Sequence, residues 1–220
     1  MHNLTSILNE SLATLDKLTS LTDLNLTNCF DLADLTELSQ FPHLQRLNLT
    51  GYGGDSDLKV LMDMTQLTHL DLSESGLRLS LGQGEDWMQL ARLSSLRSLV
   101  LRSCIGLVDL RFLALSALSS LEYLDLNDGR NLQDIAALTP ENLPNLTYLD
   151  LGECKHLYTP ATFAAVGRLT LLKTLALFPN LDWGPYDGNN APPEVDAQLE
   201  SLYDLTALRN LAIAWDGGFN

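Results

Sequence analysis

Few residues of this chain have the types and spacing that catalysis requires. The strongest candidates are His69 and Asp71, which stand two apart on one face of an expected strand, as a general base and its partner would. The other three histidines fall in separate segments, without the spacing of metal ligands. The glycine-containing segments 51–57 and 82–86 lack the lysine of a phosphate-binding loop. We therefore predict that the chain is not an enzyme and binds no cofactor and no metal. Ordinary surface residues are the alternative interpretation of the His69 and Asp71 pair.

The dominant pattern is the motif Leu-x-x-Leu-x-Leu, which occurs eight times with Ile213 as the one substitution. Its last two apolar positions alternate as in a strand with one buried face, and turn or polar residues follow. A single unit cannot bury its leucines, so the strands are expected to stack in parallel, with each return segment crossing on the same side. The units, numbered one to eight, begin at Leu21, Leu44, Leu67, Leu96, Leu121, Leu146, Leu172 and Leu208.

These motifs resemble those of the leucine-rich repeat family over residues 1 to 216, essentially the whole chain. The resemblance implies a right-handed, horseshoe-shaped α/β solenoid. A parallel β-sheet would line the concave face, and short helices, 3₁₀ turns and loops would line the convex face. We expect one domain over residues 1–220, with a capping half-repeat at 1–20, eight repeats at 21–216 and an insertion at 178–196 in repeat seven.

The ninth position of each unit is where this family usually places a buried Asn or Cys that satisfies backbone groups of the loop. Three cysteines at this position resemble the cysteine-containing class of these repeats, and the other ninth residues make the pattern irregular. The nearest cysteines are two strands apart, roughly 10 Å, which is too far for a disulfide. We expect small, buried side chains. The ninth residues are Cys29, Tyr52, Ser75, Cys104, Gly129, Cys154, Asn180 and Asp216.

The chain is strongly acidic, with 28 Asp and Glu against 13 Lys and Arg and a formal net charge of −15. Such a surface repels nucleic acid and anionic membranes and attracts a basic protein, with solubility alone as the alternative explanation. The sequence begins without the basic-then-apolar pattern of a signal peptide, and it has no transmembrane run. We expect a cytoplasmic monomer, with a secreted bacterial effector as the alternative.

The concave face is where such solenoids usually carry functional residues, and the third and fifth positions of each unit should point there. Stacking the units in register places Tyr123 beside Tyr148 within an acidic frame, and aromatic residues are enriched at binding centres. Arg97 and Arg102 interrupt this frame, and pairing with neighbouring acids is their structural alternative. The predicted partner-binding residues are Tyr123, Asp125, Tyr148, Asp150, His69, Asp71, Phe178, Trp183, Tyr186 and Trp215.

The last four of these residues come from the insertion at 178–196 and from the end of the chain. Loops longer than about 12 to 15 residues are uncommon and often functional. The alternative is a tolerated surface insertion, or a flap that covers Leu211 and Trp215 at the end of the solenoid.

Together these patterns predict a non-enzymatic module that binds a protein partner with a basic surface, through the concave face and the repeat-seven insertion. Neither nucleic acid nor membrane is expected as a partner. Two alternatives stay open. The chain is an acidic inhibitor or immunity-type protein that neutralises a basic toxin or nuclease, or it is the recognition region of a larger effector or receptor.

Overall fold

The structure is a computed structural model, and it describes residues 12, 15–29, 32, 35–53, 58–75, 87–114, 118–177 and 198–213. Eight short strands form one sheet, and their order in the sheet is their order in the chain. They are β1 Asp23–Asn25, β2 Arg46–Asn48, β3 His69–Asp71, β4 Ser98–Val100, β5 Tyr123–Asp125, β6 Tyr148–Asp150, β7 Thr174–Leu177 and β8 Asn210–Ile213.

Every neighbouring pair of strands is parallel and in register. A third-position residue therefore faces the third-position residue of the next unit, as Tyr123 faces Tyr148. The ladder continues past the strand ends, where the sixth-position N–H of Leu26 donates to the fifth-position carbonyl of Asn48 at 2.8 Å. The prediction of an open parallel sheet with this register is confirmed.

The return segments contain short helices, which the three-residue spacing of their leucines predicts. The α-helix Pro160–Gly167 begins where Thr159 accepts a hydrogen bond from Thr162 N and where proline occupies the first turn. In the described part of the chain, no helix is both long and apolar enough to cross a bilayer. The other helices are the 3₁₀ helices Thr36–Gln40, Leu58–Asp63, Trp87–Arg92 and Leu118–Ser120 and the α-helix Arg111–Ala114.

The leucines of the motif form a continuous core between the sheet and the return segments. All three leucines of each unit from two to seven are at most 3% exposed. Leucines of the return segments, such as Leu35, Leu38 and Leu110, are buried against them from the convex side. Full burial of one leucine contributes about 1.5–3 kcal/mol. These stacked layers therefore hold the fold together.

The two ends of the sheet bury less than its middle. Leu21 and Leu24 are half-buried in unit one, and Leu211 of β8 is 47% exposed. At the first end, Leu12 is buried, and Gln40 Nε2 donates to its carbonyl at 2.7 Å. At the other end, the segment expected to form a cover, 178–196, and Trp215, which it would cover, lie outside the described residues. The half-repeat cap and the insertion remain predictions.

Two cysteines of the ninth position tie their loops to the preceding unit. Cys104 Sγ donates to the carbonyl of Leu72, and Cys154 Sγ donates to that of Leu126, both at 3.2 Å. Burial raises the pKa of both thiols to about 12. They therefore stay protonated and keep donating at neutral pH. All three cysteines, including Cys29, are buried and free, as the family resemblance implies for this position.

The same bonds explain why two other ninth positions are small. A Cβ atom added to Gly129 would lie 3.1 Å from Cys154 Sγ and 3.0 Å from the Leu126 carbonyl oxygen. Ser75 Oγ lies 4.0 Å from Cys104 Sγ. A cysteine in one unit thus requires a small residue at the ninth position of the preceding unit.

Candidate protein-binding site on the concave face

The loop after each strand of units one to six follows one repeated turn. In five of these units, all but unit four, the ninth-position N–H donates to the sixth-position carbonyl, as from Gly129 to Leu126 at 3.1 Å. The eighth residue has a positive φ, between 52° and 71°, which is typical of the third residue of a type II turn. Of these six residues only one is glycine. They are Asn28, Gly51, Glu74, Ser103, Asp128 and Glu153.

Asn and Asp at the fifth position cap these loops. In each case a side-chain oxygen accepts a hydrogen bond from the backbone N–H two residues later, at 2.8–3.1 Å. This is the Asx turn, which short polar side chains form at the start of loops. The acceptors are Asn25, Asn48, Asp71, Asp125 and Asp150. Three predicted partner-binding residues therefore hold the loops of their own units.

Two of these aspartates are also buried, which corrects the expectation of an exposed acidic frame. Asp125 is 0% exposed and Asp150 is 7% exposed. Arg102 covers Asp125 and bonds to its Oδ2 through Nε at 2.7 Å and Nη2 at 2.6 Å. Arg97 likewise pairs with Glu122 at 2.6 Å. The alternative in which both arginines pair with neighbouring acids is therefore confirmed.

The tyrosines of the third position meet as predicted. The rings of Tyr123 and Tyr148 stack with centroids 3.9 Å apart and planes inclined by 12°. Each ring is half-buried, and each hydroxyl lies near the aspartate of its own strand, at 3.3 Å from Asp125 and 3.5 Å from Asp150. Burial, Tyr148 and Asp125 raise the pKa of Tyr123. The pair is thus a stacked aromatic surface at the centre of the concave face.

The N-terminal half of the concave face contains a shallow depression of about 330 Å³, which residues of β1 to β4 line. His69 Nδ1 lies 2.9 Å from Thr68 Oγ1, whereas Asp71 accepts from the N–H of Ser73 at 2.9 Å. Burial and Arg46 lower the pKa of His69. The two candidates for acid–base chemistry therefore have separate partners. Among the described residues, no group of three His, Cys, Asp or Glu side chains is placed to hold a metal ion.

Four predicted binding residues lie outside the described residues, namely Phe178, Trp183, Tyr186 and Trp215. Conversely, sequence reasoning did not assign Asn127, whose Nδ2 lies 3.5 Å from Asp150 Oδ1. It also missed the capping role of the fifth position. The signal for that role is present, because five of the eight fifth positions are Asn or Asp at the end of a strand.

Comparisons with known proteins identify the fold. The structure is similar to internalin C2 of Listeria monocytogenes, with a TM-score of 0.62 and 23% identity over 92% of this chain and 84% of the other. It is also similar to a second Listeria monocytogenes internalin, with a TM-score of 0.56 and 21% identity over 91% of this chain and 58% of that one. A leucine-rich repeat protein of Leptospira interrogans gives a TM-score of 0.52 and 18% identity over 91% of this chain and 53% of its own.

No family model matches the sequence, and neither does any curated protein. The repeated motif, the single open sheet of eight parallel strands and these three structures agree with one another. The chain has the leucine-rich repeat fold.

Proposed function

We propose that this protein is a non-enzymatic interaction module that binds a protein partner at the concave face, centred on the stacked pair Tyr123 and Tyr148. The stack is the observation that carries the proposal, because it presents two half-buried, nearly parallel rings side by side on this face. Tyrosine is enriched in binding hot spots, since it adds a large apolar area at low entropic cost.

The side chains at the third and fifth positions around the pair support this assignment. The fifth positions serve the loops, while the third positions carry side chains without a capping role. A partner that contacts Tyr123 and Tyr148 therefore need not break the fold. The segment 178–196 begins immediately after β7, which pairs with the strand of Tyr148. We assign this segment a second, peripheral contribution to binding.

The test compares three forms of the protein in partner capture from the native host, followed by measurement of affinity for the captured protein. The double variant Tyr123→Ala with Tyr148→Ala should lose about 2 kcal/mol or more of binding free energy. Tyr203→Ala is the matched control, because Tyr203 is a highly exposed tyrosine outside the strands. Equal affinity of all three forms, each with an unchanged circular dichroism spectrum, would refute a concave-face site.

The charge of the partner is a separate part of the proposal. The net charge of −15 favours a partner with a basic surface. The association rate should then fall as NaCl is raised from about 50 to about 500 mM, because the screening length shrinks below the size of the charged surface. An association rate that is independent of salt would mean that the acidity serves solubility.

The contribution of the insertion is tested by deleting residues 184–194. We expect weaker binding, because the deletion removes Tyr186 and shortens the segment that carries Trp183. Sedimentation and thermal melting of the deleted form separate this effect from the alternative, a flap over β8. Loss of binding with unchanged stability supports the binding role, and loss of stability with unchanged binding supports the flap.

A further inference from the structure

Units five and six carry the same pair of residues in the same register. Tyr123 stacks on Tyr148, and two residues further along each strand Asp125 and Asp150 cap their loops. The two units therefore offer two equivalent carboxylates beneath one aromatic stack. The partners of the two carboxylates can therefore be compared directly.

The difference is a guanidinium group. Asp125 has Arg102, which donates two hydrogen bonds from the seventh position of the preceding unit. The equivalent residue for Asp150 is Asn127, at the longer distance of 3.5 Å. Within the described ranges, no lysine or arginine pairs with Asp150. Asp150 is thus a nearly buried carboxylate without a cation, next to the buried carboxylate of Asp125.

Beyond Tyr148 the side chains on the concave face are short. The next third-position residue is Thr174, which receives a hydrogen bond from Asn210 at 3.3 Å, and the next fifth-position residues are Ala176 and Ala212. Strands lie about 4.8 Å apart, close to the 3.9 Å spacing of the tyrosine rings. A third planar group therefore fits above β7, in line with the stack.

The cations of this region lie on another row. Lys173 and Arg209 occupy second positions, about 10 Å along the strands from the fifth positions. On the loop side, Glu153 follows Asp150 in the same unit, and Lys155 comes two residues later. The space above Ala176 is therefore bordered by the ring of Tyr148, by short side chains and by the carboxylate of Asp150.

Resting on the proposed function, we infer that the partner protein supplies an arginine side chain to this place. Its guanidinium stacks on the outer face of Tyr148 and donates to the carboxylate of Asp150. Arginine fits better than lysine because its planar group stacks on an aromatic ring and donates two parallel hydrogen bonds. Arg102 and Asp125 show a guanidinium bound to a carboxylate within the chain itself, with Nε and Nη2 both on Oδ2.

The test uses the peptide acetyl-Gly-Arg-Gly-amide as the probe, with its lysine and citrulline counterparts, and follows the ring resonances of labelled tyrosines. We expect a Kd in the millimolar range, as befits one side chain, with shifts at Tyr148. Affinity should fall at least about fivefold with lysine and further with citrulline. Equal binding of the three peptides, or no shift at Tyr148, would overturn the inference.

Two variants locate the contact. Asp150→Asn keeps the oxygen that caps Gly152 and removes the charge, and it should weaken the arginine peptide about tenfold. Ala176→Leu fills the space proposed for the guanidinium and keeps the charge of Asp150. It should weaken binding to a similar extent. Asp71→Asn is the matched control, since Asp71 caps its loop in the same way on β3. Equal loss in Asp71→Asn and Asp150→Asn would contradict the assigned place.

The outcomes also separate this inference from the proposed function. If the tyrosine double variant loses the captured partner but the arginine peptide does not bind, the concave-face function stands and the arginine contact is refuted. If the peptide binds at Tyr148 but the double variant keeps full affinity for the partner, the local contact exists and the proposed function fails.

Discussion

The third and fifth positions of each unit lie on the same face of the same strands, and yet their side chains do different things. At the fifth position, Asn and Asp turn towards the loop of their own unit and accept its backbone N–H groups. At the third position, Tyr123 and Tyr148 bond to no backbone group of a loop and stack on each other. In this parallel solenoid, the side chains available for a binding role are those that form no hydrogen bond with the backbone of a loop.

The sharpest way to break this comparison is Asp125→Ala. The substitution leaves the N–H of Asn127 and the guanidinium of Arg102 without their acceptor, and it should cost about 2–3 kcal/mol of unfolding free energy. Tyr148→Ala should cost less, about 0.5–1.5 kcal/mol for a stacked pair. Urea unfolding of both variants measures the difference.

The matched control for the ion pair is Asp23→Ala, because Arg46 and Asp23 form a largely exposed contact of 3.4 Å in the third row. It should change stability by less than about 0.5 kcal/mol. A larger loss for Tyr148→Ala than for Asp125→Ala would reverse the roles assigned to the two rows.

A second prediction extends the comparison to the ninth position, where the described residues are all buried. Gly129→Ala should destabilise the protein by about 1–2 kcal/mol, because the new Cβ crowds Cys154 Sγ and the Leu126 carbonyl. Cys154→Ala in the same chain removes the sulfur. The double variant should therefore lose less than the sum of the two single losses, by about 0.5 kcal/mol or more. Additive losses in thermal or urea unfolding would mean that the two residues do not share this space.

Substitutions at the eighth position of the units, where φ is positive, should change stability by a smaller amount. Gly51 has φ 71°, and Glu74 in the next unit has φ 52° in the same turn. Gly51→Ala should lose about 1 kcal/mol, and Glu74→Gly should gain a few tenths of a kcal/mol, since relief of strain exceeds the added chain entropy only slightly. Calorimetry of the two variants checks the opposite signs. A loss of stability in Glu74→Gly would show that its side chain contributes more than its strained backbone costs.

The smallest expected effect is a pH dependence of the fifth row. Burial raises the pKa of Asp150, and Asp125 adds to the effect. Between the ordinary pKa and this raised value, the folded protein binds more protons than the unfolded chain, so stability falls as pH rises through that window. The stability of the wild type relative to Asp150→Asn should therefore fall as pH rises from the ordinary aspartate pKa of about 3.9. A difference that is constant, or that grows in favour of the wild type, would contradict the raised pKa.

The strand register was predictable because the leucines fix it. Three buried positions per unit leave one way to align neighbouring strands, and so the contact between Tyr123 and Tyr148 follows from the sequence alone. The burial of Asp125 did not follow in this way. The motif indicates that its Cβ points to the concave face, but Arg102 and the loop N–H of Asn127 decide where the carboxylate ends.

The ninth row shows the other limit. Gly129 looks like a departure from the motif when its own unit is considered, because the reason for it, Cys154, lies in the next unit. Such size relations join residues that are one repeat apart. They become visible in a sequence only once the repeats are aligned and each ninth residue is compared with its successor.

The bond from a cysteine thiol to the leucine carbonyl of the preceding unit restricts how this chain can lengthen. A tandem duplication of unit six alone would set a second cysteine behind Cys154, in a space that holds only the hydrogen atoms of Gly129 in the present chain. Duplication of units five and six together would keep Gly129 before Cys154 in each copy. At the new junction Cys154 would precede a copy of Gly129, as Cys104 precedes Gly129 in the present chain. Two-repeat blocks are therefore the natural modules for growth, recombination or grafting of this solenoid.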